Sequence, residues 1–243
     1  MSDGRGKSWF LGIRAICQQY GLPDPLQVIQ SPPSKDSWKR QCKSKVISQW
    51  EEKLRGEAAL LPSLVYFRPS HMSLTTPHPL WALAESGFEV SKAITVANML
   101  SGRYVTDYHA RHWSRTNPEG FCQLCLAFPA SGHVTTLGTL EHLLLKCPAL
   151  AETRAKCTSH WATYLVDKPF LLPIVTHHTL TPGLHGEKLQ MELLLDPTSC
   201  PLVIAAAQSM GTGIISHFLY MTRTWCHAHH LRRKRLLKLY NII

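Results

Sequence analysis

With 243 residues, 44% of them hydrophobic and 17% charged, the chain has a globular composition and the length for one or two domains with a real core. No run approaches the eighteen or so consecutive apolar residues of a membrane-spanning helix, so no membrane association is expected. Lys and Arg outnumber Asp and Glu by 26 to 16, a net charge of +10, which points to a polyanionic partner such as nucleic acid.

Met1 to Ser8 leads into no apolar stretch of the kind that drives secretion. The eight cysteines therefore read as reduced thiols or metal ligands in an intracellular protein, not as a disulfide framework. The field sits at the two ends of the chain. After Asp196 there is no further acid, and Leu231-Arg232-Arg233-Lys234-Arg235-Leu236-Leu237-Lys238 nearly closes the sequence. Such a run reads as a phosphate-binding face, a solvated helix surface or a nuclear-import signal.

Trp9, Ile13, Ile16 and Tyr20 recur at three-to-four spacing, predicting a short helix from Ser8 that Gly21 and Pro23 stop. Pro32-Pro33-Ser34 sets up a longer helix from Lys35 to about Gly56, with Trp38, Cys42, Val46, Trp50 and Leu54 as a core-facing stripe. Its other faces carry Lys35, Lys39, Arg40, Lys43 and Lys45, either as solvated surface or as phosphate contacts. Residues 61–88, rich in proline, read as an irregular connector ending at a domain boundary near Phe88. Val90, Ala93, Ile94, Ala97 and Leu100 mark a helix capped by Gly102, and Thr106 starts a second one through Trp113. Asn117, Pro118 and Gly120 then make a turn into Phe121-Cys122. Proline and glycine recur from Lys168 to Pro201, predicting a linker. Leu202 to about Tyr240 is helix-compatible, with Gly211 and Gly213 threatening a break.

The clearest chemistry lies between. Cys122 and Cys125, then His142 and Cys147, form C-x2-C-x16-H-x4-C, two tight pairs at the spacing of a structural zinc site. A C-x2-C turn sets two thiolates about 4 Å apart, near the edge of a tetrahedron built on Zn–S bonds of about 2.3 Å. Thr139 can cap a helix from Leu140 to Lys146 that carries His142 and ends at Cys147 before Pro148, with Leu143, Leu144 and Leu150 packing beneath the metal. Four filled positions imply a structural role for one Zn2+, since a catalytic zinc keeps a position open. The competing reading is three buried thiols and a satisfied histidine, and Cys157, His160 or His133 could replace a ligand. Cys226-His227-Ala228-His229-His230 reads as a titrating basic patch more readily than as a metal site. Trp113 and Phe121 beside the first pair read as core, with base stacking as the alternative.

Met99-Leu100-Ser101-Gly102-Arg103-Tyr104, the Cys122/Cys125 pair and Thr139 through Leu150 resemble the region that follows the reverse transcriptase in non-LTR, LINE-like retrotransposon polyproteins. Ser31 to Lys35, Leu61 to Leu64 and Thr222 to Cys226 are similar to segments flanking that zinc region. The resemblance implies zinc on Cys122, Cys125, His142 and Cys147, and binding of the element's nucleic acid. The chain carries neither a Tyr-x-Asp-Asp motif nor an Asp-Asp pair, so no polymerase, which needs carboxylates to hold two metal ions, and no endonuclease centre is expected.

The expected fold is mainly α with irregular connectors and a small CCHC zinc knuckle or ribbon between helical segments. The expected divisions are a basic helical segment with its connector over 1–88, a helical hairpin plus zinc domain over 89–165, a linker over 166–201 and a basic C-terminal helical segment over 202–243. The functional expectation is a non-catalytic nucleic-acid-binding module detached from its reverse transcriptase, favouring RNA or single strands and the nucleus over the cytoplasm. Its nucleic-acid contacts are Lys35, Lys39, Arg40, Lys43, Arg232, Arg233, Lys234, Arg235 and Lys238. A zinc-stabilised scaffold, or a fragment of a decayed element, is the alternative. An enzyme would require Cys157 with His160, or Cys226 with His229, as nucleophile and base.

Overall fold

The computed structural model describes residues 9–61, 64–69, 72–82, 84–128, 135–180, 183–211 and 213–242. The protein is mainly helical. Among the described residues, backbone pairing between extended segments is limited to an antiparallel bridge of Phe121 with Leu137.

Two compact units form, in place of the four divisions expected from the sequence. The first comprises Met1–Leu61 with Pro69–Pro77, the second Pro62–Arg68 with His78–Ile243. In the first, α1 (Trp9–Gln19) leads through the predicted stop to α2 (Pro25–Gln30) and α3 (Lys35–Leu60). Asp24 joins α1 to α2, accepting the Leu26 amide at 2.9 Å and pairing with Arg14 at 2.7 Å. Ser34 caps α3 as expected. A polar clamp ties the 72–77 segment to α3: Glu51 accepts the Leu74 amide at 2.8 Å and the Ser73 hydroxyl, while Arg55 donates to the Met72 carbonyl at 2.9 Å. The α3 stripe is not a core face. Ala58 is the buried residue of α3, whereas Trp38, Cys42, Val46 and Leu54 are half-covered and Trp50 is exposed.

The second unit is built around α11 (Gly213–Leu239), against which α4 (Gly87–Leu100), α7 (Ala151–Val166), α9 (Gly183–Leu195) and α10 (Pro201–Met210) pack. Gly211, at φ +99°, ends α10 where the sequence threatened a break. The main core gathers Val96, Met99, Trp161, Leu171, Met191, Leu195, Val203, Phe218, Leu219 and Cys226. Trp161 and Trp225 meet with ring centroids 5.1 Å apart, and the Trp161 indole donates to the Met221 carbonyl at 3.2 Å.

Residues 166–201 are therefore no linker. They form α8 (Leu172–Leu180) and α9, and contribute Leu171, Met191 and Leu193 to Leu195 to the core. Nor is 202–243 a separate segment, since α11 is the axis of the unit. The expected boundary at Phe88 also moves. Leu80, on the turn Pro79–Trp81, is buried in the same core, and its carbonyl receives Arg223 of α11 at 3.0 Å.

Candidate metal centre

The first limb of the centre begins at α5 (Asp107–Ala110), capped by Thr106. The helix stops at Ala110, short of the predicted Trp113, and leaves that tryptophan 66% exposed instead of in the core. Asn117 then clamps the turn, its side chain donating to the Phe121 carbonyl at 2.7 Å and accepting the Phe121 amide at 3.0 Å. Pairing with the returning chain follows: the Cys122 amide donates to Thr136 at 2.8 Å, and Gly138 to the Gly120 carbonyl at 2.9 Å. This fixes Cys122 at the start of the short helix α6 (Gln123–Ala127), with Cys125 one turn along on the same face.

The second limb starts as predicted, with the Thr139 hydroxyl accepting the His142 amide at 3.2 Å. It does not continue as an α-helix. His142–Lys146 is a π turn, closed by the Cys147 amide on the His142 carbonyl at 2.6 Å. In an α-helix residues five apart diverge by about 140°. The wider turn brings both ligands of H-x4-C to one side, a recurrent use of π turns at functional sites.

The four side chains converge, each offering one ligand atom within 4.8 Å of the others. Cys147 Sγ lies 3.9 Å from Cys122 Sγ and 3.6 Å from Cys125 Sγ, and His142 Nε2 lies 3.3 Å from Cys125 Sγ. Tetrahedral Zn–S and Zn–N bonds require edges of about 3.8 Å between sulfurs and about 3.6 Å between sulfur and nitrogen. The donor set thus fits a tetrahedral cation, and these residues lie close enough to bind a metal ion. Cys122, Cys147 and His142 are buried and Cys125 is partly open. In the metal-free thiols, the hydrogen bond with Cys147 and then burial push Cys122 up to about 12, and burial followed by the charge of Cys122 pushes Cys125 up to about 11. A bound cation reverses that balance by favouring thiolates.

Beneath the site Leu124, Leu143 and Leu150 pack against Leu236 and Leu237 of α11, whereas Leu144, predicted to lie there, joins the main core. The sequence reading also missed Asp107. Its buried carboxylate accepts the Gln123 amide at 3.2 Å, at the start of α6, and holds Arg233 of α11 at 3.2 Å. A Cβ on Gly138 would come within 2.6 Å of Asp107 Cβ, so the returning strand reaches Asp107 through a position without a side chain. Gly138→Ala is expected to cost about 1–3 kcal/mol by overpacking. A thermal melt of metal-loaded protein measures this, and an unchanged melting temperature would show that Asp107 is not wedged there.

The other candidate ligands stand apart. Cys157 is buried in the main core, where burial raises its thiol to about 11, and His160 is exposed against the Tyr220 ring. His133 lies outside the described residues. Cys226 donates to the Leu194 carbonyl and burial raises its pKa, while His229 Nδ1 faces the Trp225 carbonyl at 2.9 Å and burial lowers its pKa to about 4. His227 meets the Thr95 hydroxyl and His230 the Tyr104 hydroxyl, and burial lowers the pKa of both, that of His230 to about 4, so burial disfavours their charged forms and they add little to the basic patch.

The basic residues divide. Lys35, Lys39, Arg40 and Lys43 are exposed on α3 in the first unit. On α11, Arg233 is held by Asp107 and the Val105 carbonyl, and Arg232 by Glu152 at 3.4 Å. Lys234, Arg235 and Lys238 are exposed, pair with no carboxylate among the described residues, and share one side of the helix by their i, i+3 and i, i+4 spacing. No family model, curated protein or solved structure matches the chain. No helix among the described residues is long and apolar enough to cross a membrane.

Proposed function

We propose that the chain is a zinc-stabilised, non-catalytic nucleic-acid-binding module of the nucleus, related to the region following the reverse transcriptase of LINE-like retrotransposons and favouring RNA or single strands. Cys122, Cys125, His142 and Cys147 hold one structural Zn2+, because three thiolates and one imidazole fill a tetrahedron and suit that ion. The observation that carries the reading is the double use of one stretch of α11. Leu236 and Leu237 are buried beneath the metal centre, while Lys234, Arg235 and Lys238 from the same two turns face solvent. Metal thereby fixes a row of free cations, which a phosphate backbone complements.

Exposed Trp113 supports single strands over duplex. It is exposed and stands in the sequence between Arg111 and Arg115, shortly before Cys122 and Cys125, and an exposed aromatic among positive charges is what single-strand binders use. Lys35, Lys39, Arg40 and Lys43 supply further phosphate contacts from the first unit.

Truncating the basic end would remove Leu236 and Leu237 and unseat the centre, so charge substitution is the cleaner test. Replacing Lys234, Arg235 and Lys238 together by Gln is expected to flatten the dependence of log affinity for single-stranded RNA on log salt by about 2. Trp113→Ala is expected to weaken binding by about 1–3 kcal/mol with an unchanged melting temperature. An unaltered salt slope together with full binding by Trp113→Ala would overturn the reading. Exposed Leu126, Phe128 and Leu137 support the scaffold alternative, and competition of binding by polyglutamate but not by RNA would favour it.

A further inference from the structure

We infer that the groove between α7 and α11 is a phosphate-binding site, in which Lys156 of α7 joins Arg232 and Arg235 of α11 on one phosphate of a nucleic-acid strand. The inference rests on the nucleic-acid reading and extends it to a second helix, through a lysine that neither basic end of the sequence contains. The groove encloses about 310 Å³, at the lower end of the range of about 300–1,000 Å³ for small-molecule sites. That is far more than the roughly 30 Å³ of a water molecule, so the groove admits a phosphate with part of its sugar or base as well as a bare ion. Glu152, Thr153 and Lys156 line it from α7, and Leu231, Arg232 and Arg235 from α11. Both sets have the spacing i, i+1, i+4, which keeps each within an arc of about 100° on its helix.

The groove already holds an oxyanion. Glu152 accepts from Lys156 Nζ at 2.6 Å through Oε1 and pairs with Arg232 Nη2 at 3.4 Å through Oε2. Cations from two helices thus converge on the two oxygens of one carboxylate. A phosphate presents paired oxygens in the same way and has a further acceptor for Arg235, which pairs with no carboxylate among the described residues. Lys156 and Glu152 are exposed and Arg232 is partly so, and an ion pair this open to water holds weakly. Glu152 therefore yields its two cations to a ligand of greater charge. Arginine's planar fork matches phosphate oxygens, Thr153 adds a hydroxyl, and the half-open Leu231 offers apolar surface to the attached sugar or base.

Affinity of the full chain for a fluorescent single-stranded RNA, measured by anisotropy over a range of salt, tests the assignment, with melting temperatures as the check on folding. Lys156→Gln and Arg232→Gln are each expected to flatten the slope of log affinity on log salt by about 0.7. Lys188→Gln removes the same charge from an exposed position on α9 outside the groove and is expected to leave the slope unmoved. Glu152→Gln is expected to tighten binding by up to about 5-fold, the worth of an exposed ion pair, a gain that a purely structural role for the Glu152 pairs would not produce. A strand with a 5′-phosphate bound more tightly than the same strand without it, with the difference lost in Lys156→Gln, assigns the site to a terminal phosphate; equal affinities with the slopes flattened assign it to the backbone. Wild-type slopes in both Lys156→Gln and Arg232→Gln, or an equal flattening by Lys188→Gln, would overturn the groove while salt-dependent binding by the wild type leaves the nucleic-acid reading standing. Wild-type protein that binds no strand would overturn both.

Discussion

If the Cys/His cluster holds zinc as proposed, chelation is expected to unfold the region around it and the end of α11 while the main helical core stays folded. The buried side chains divide into two clusters. Cys122, Leu124, Leu143, Cys147, Leu150, Leu236 and Leu237 surround the site, and the larger group around Trp161, Met191, Phe218 and Cys226 lies apart from it. A structural zinc supplies an apparent free energy of about 10–16 kcal/mol at neutral pH, comparable with the roughly 5–15 kcal/mol net stability of an entire domain. Five leucines cannot replace a contribution of that size, because ordering the backbone around the four side chains costs about 1–2 kcal/mol per residue in entropy. The larger cluster contains none of the ligands, so it does not depend on the ion for its own burial. Hydrogen exchange after chelation is expected to lose protection over 120–150 and 233–240, with 190–226 remaining slow. Cys125→Ser and His142→Ala should reproduce that pattern and bind far less than one zinc per chain. Acid should mimic chelation, because metal uptake must displace the protons that the raised Cys122 and Cys125 thiols hold at neutral pH, so affinity rises with pH. Collapse of the whole helix signal on chelation would show that the two clusters fold as one.

The Cys/His cluster was legible in the sequence because paired spacing is a local property: two residues three apart at a helix start share a side whatever the rest of the chain does. The π turn was not, since H-x4-C says that residues five apart must meet without saying how the backbone widens. Helices α8 and α9 were hidden by the prolines in and around them. Pro169, Pro173, Pro197 and Pro201 all stand at or just inside the start of a helical turn or helix, where the missing amide is not needed, so they mark beginnings rather than breaks. Met191, Leu193, Leu194 and Leu195 are buried almost consecutively, which erases the 3.6-residue alternation on which an amphipathic helix is recognised. The opposite error came from α3, whose four-residue apolar repeat is real but finds little to cover it. Trp113 was misplaced because a helix expected to reach it ends three residues earlier. Periodicity says that a face exists, and only the tertiary partner decides whether it is buried.

The least legible residue is Arg223, and replacing it is expected to have the largest effect of any substitution away from the metal. It is fully buried in α11, where composition alone would place a cation of the basic C-terminal region in solvent. Its Nε donates to the Leu219 carbonyl at 3.1 Å within the helix, and its Nη1 donates to the Leu80 carbonyl at 3.0 Å, tying the Pro79–Trp81 turn to α11. Its Nη2 lies 3.8 Å from Glu89 on α4, which Lys92 also pairs at 2.7 Å. One side chain thus joins three elements, and burial, which lowers its pKa, is opposed by the Glu89 charge. Arg223→Ala removes the cation, strands the Leu80 carbonyl, weakens compensation of Glu89 and opens a cavity, which together predict a loss of about 3–5 kcal/mol. Arg223→Met fills most of the volume without the charge and separates the two causes. If the polar network dominates, urea denaturation should place methionine close to alanine; if packing dominates, methionine should recover most of the loss. An m-value unchanged from wild type would confirm that stability, not the extent of unfolding, has moved. A loss below about 1 kcal/mol for Arg223→Ala, the range of ordinary surface substitutions, would mean that the turn bearing Leu80 is held by apolar packing and that this arginine is a passenger in the core.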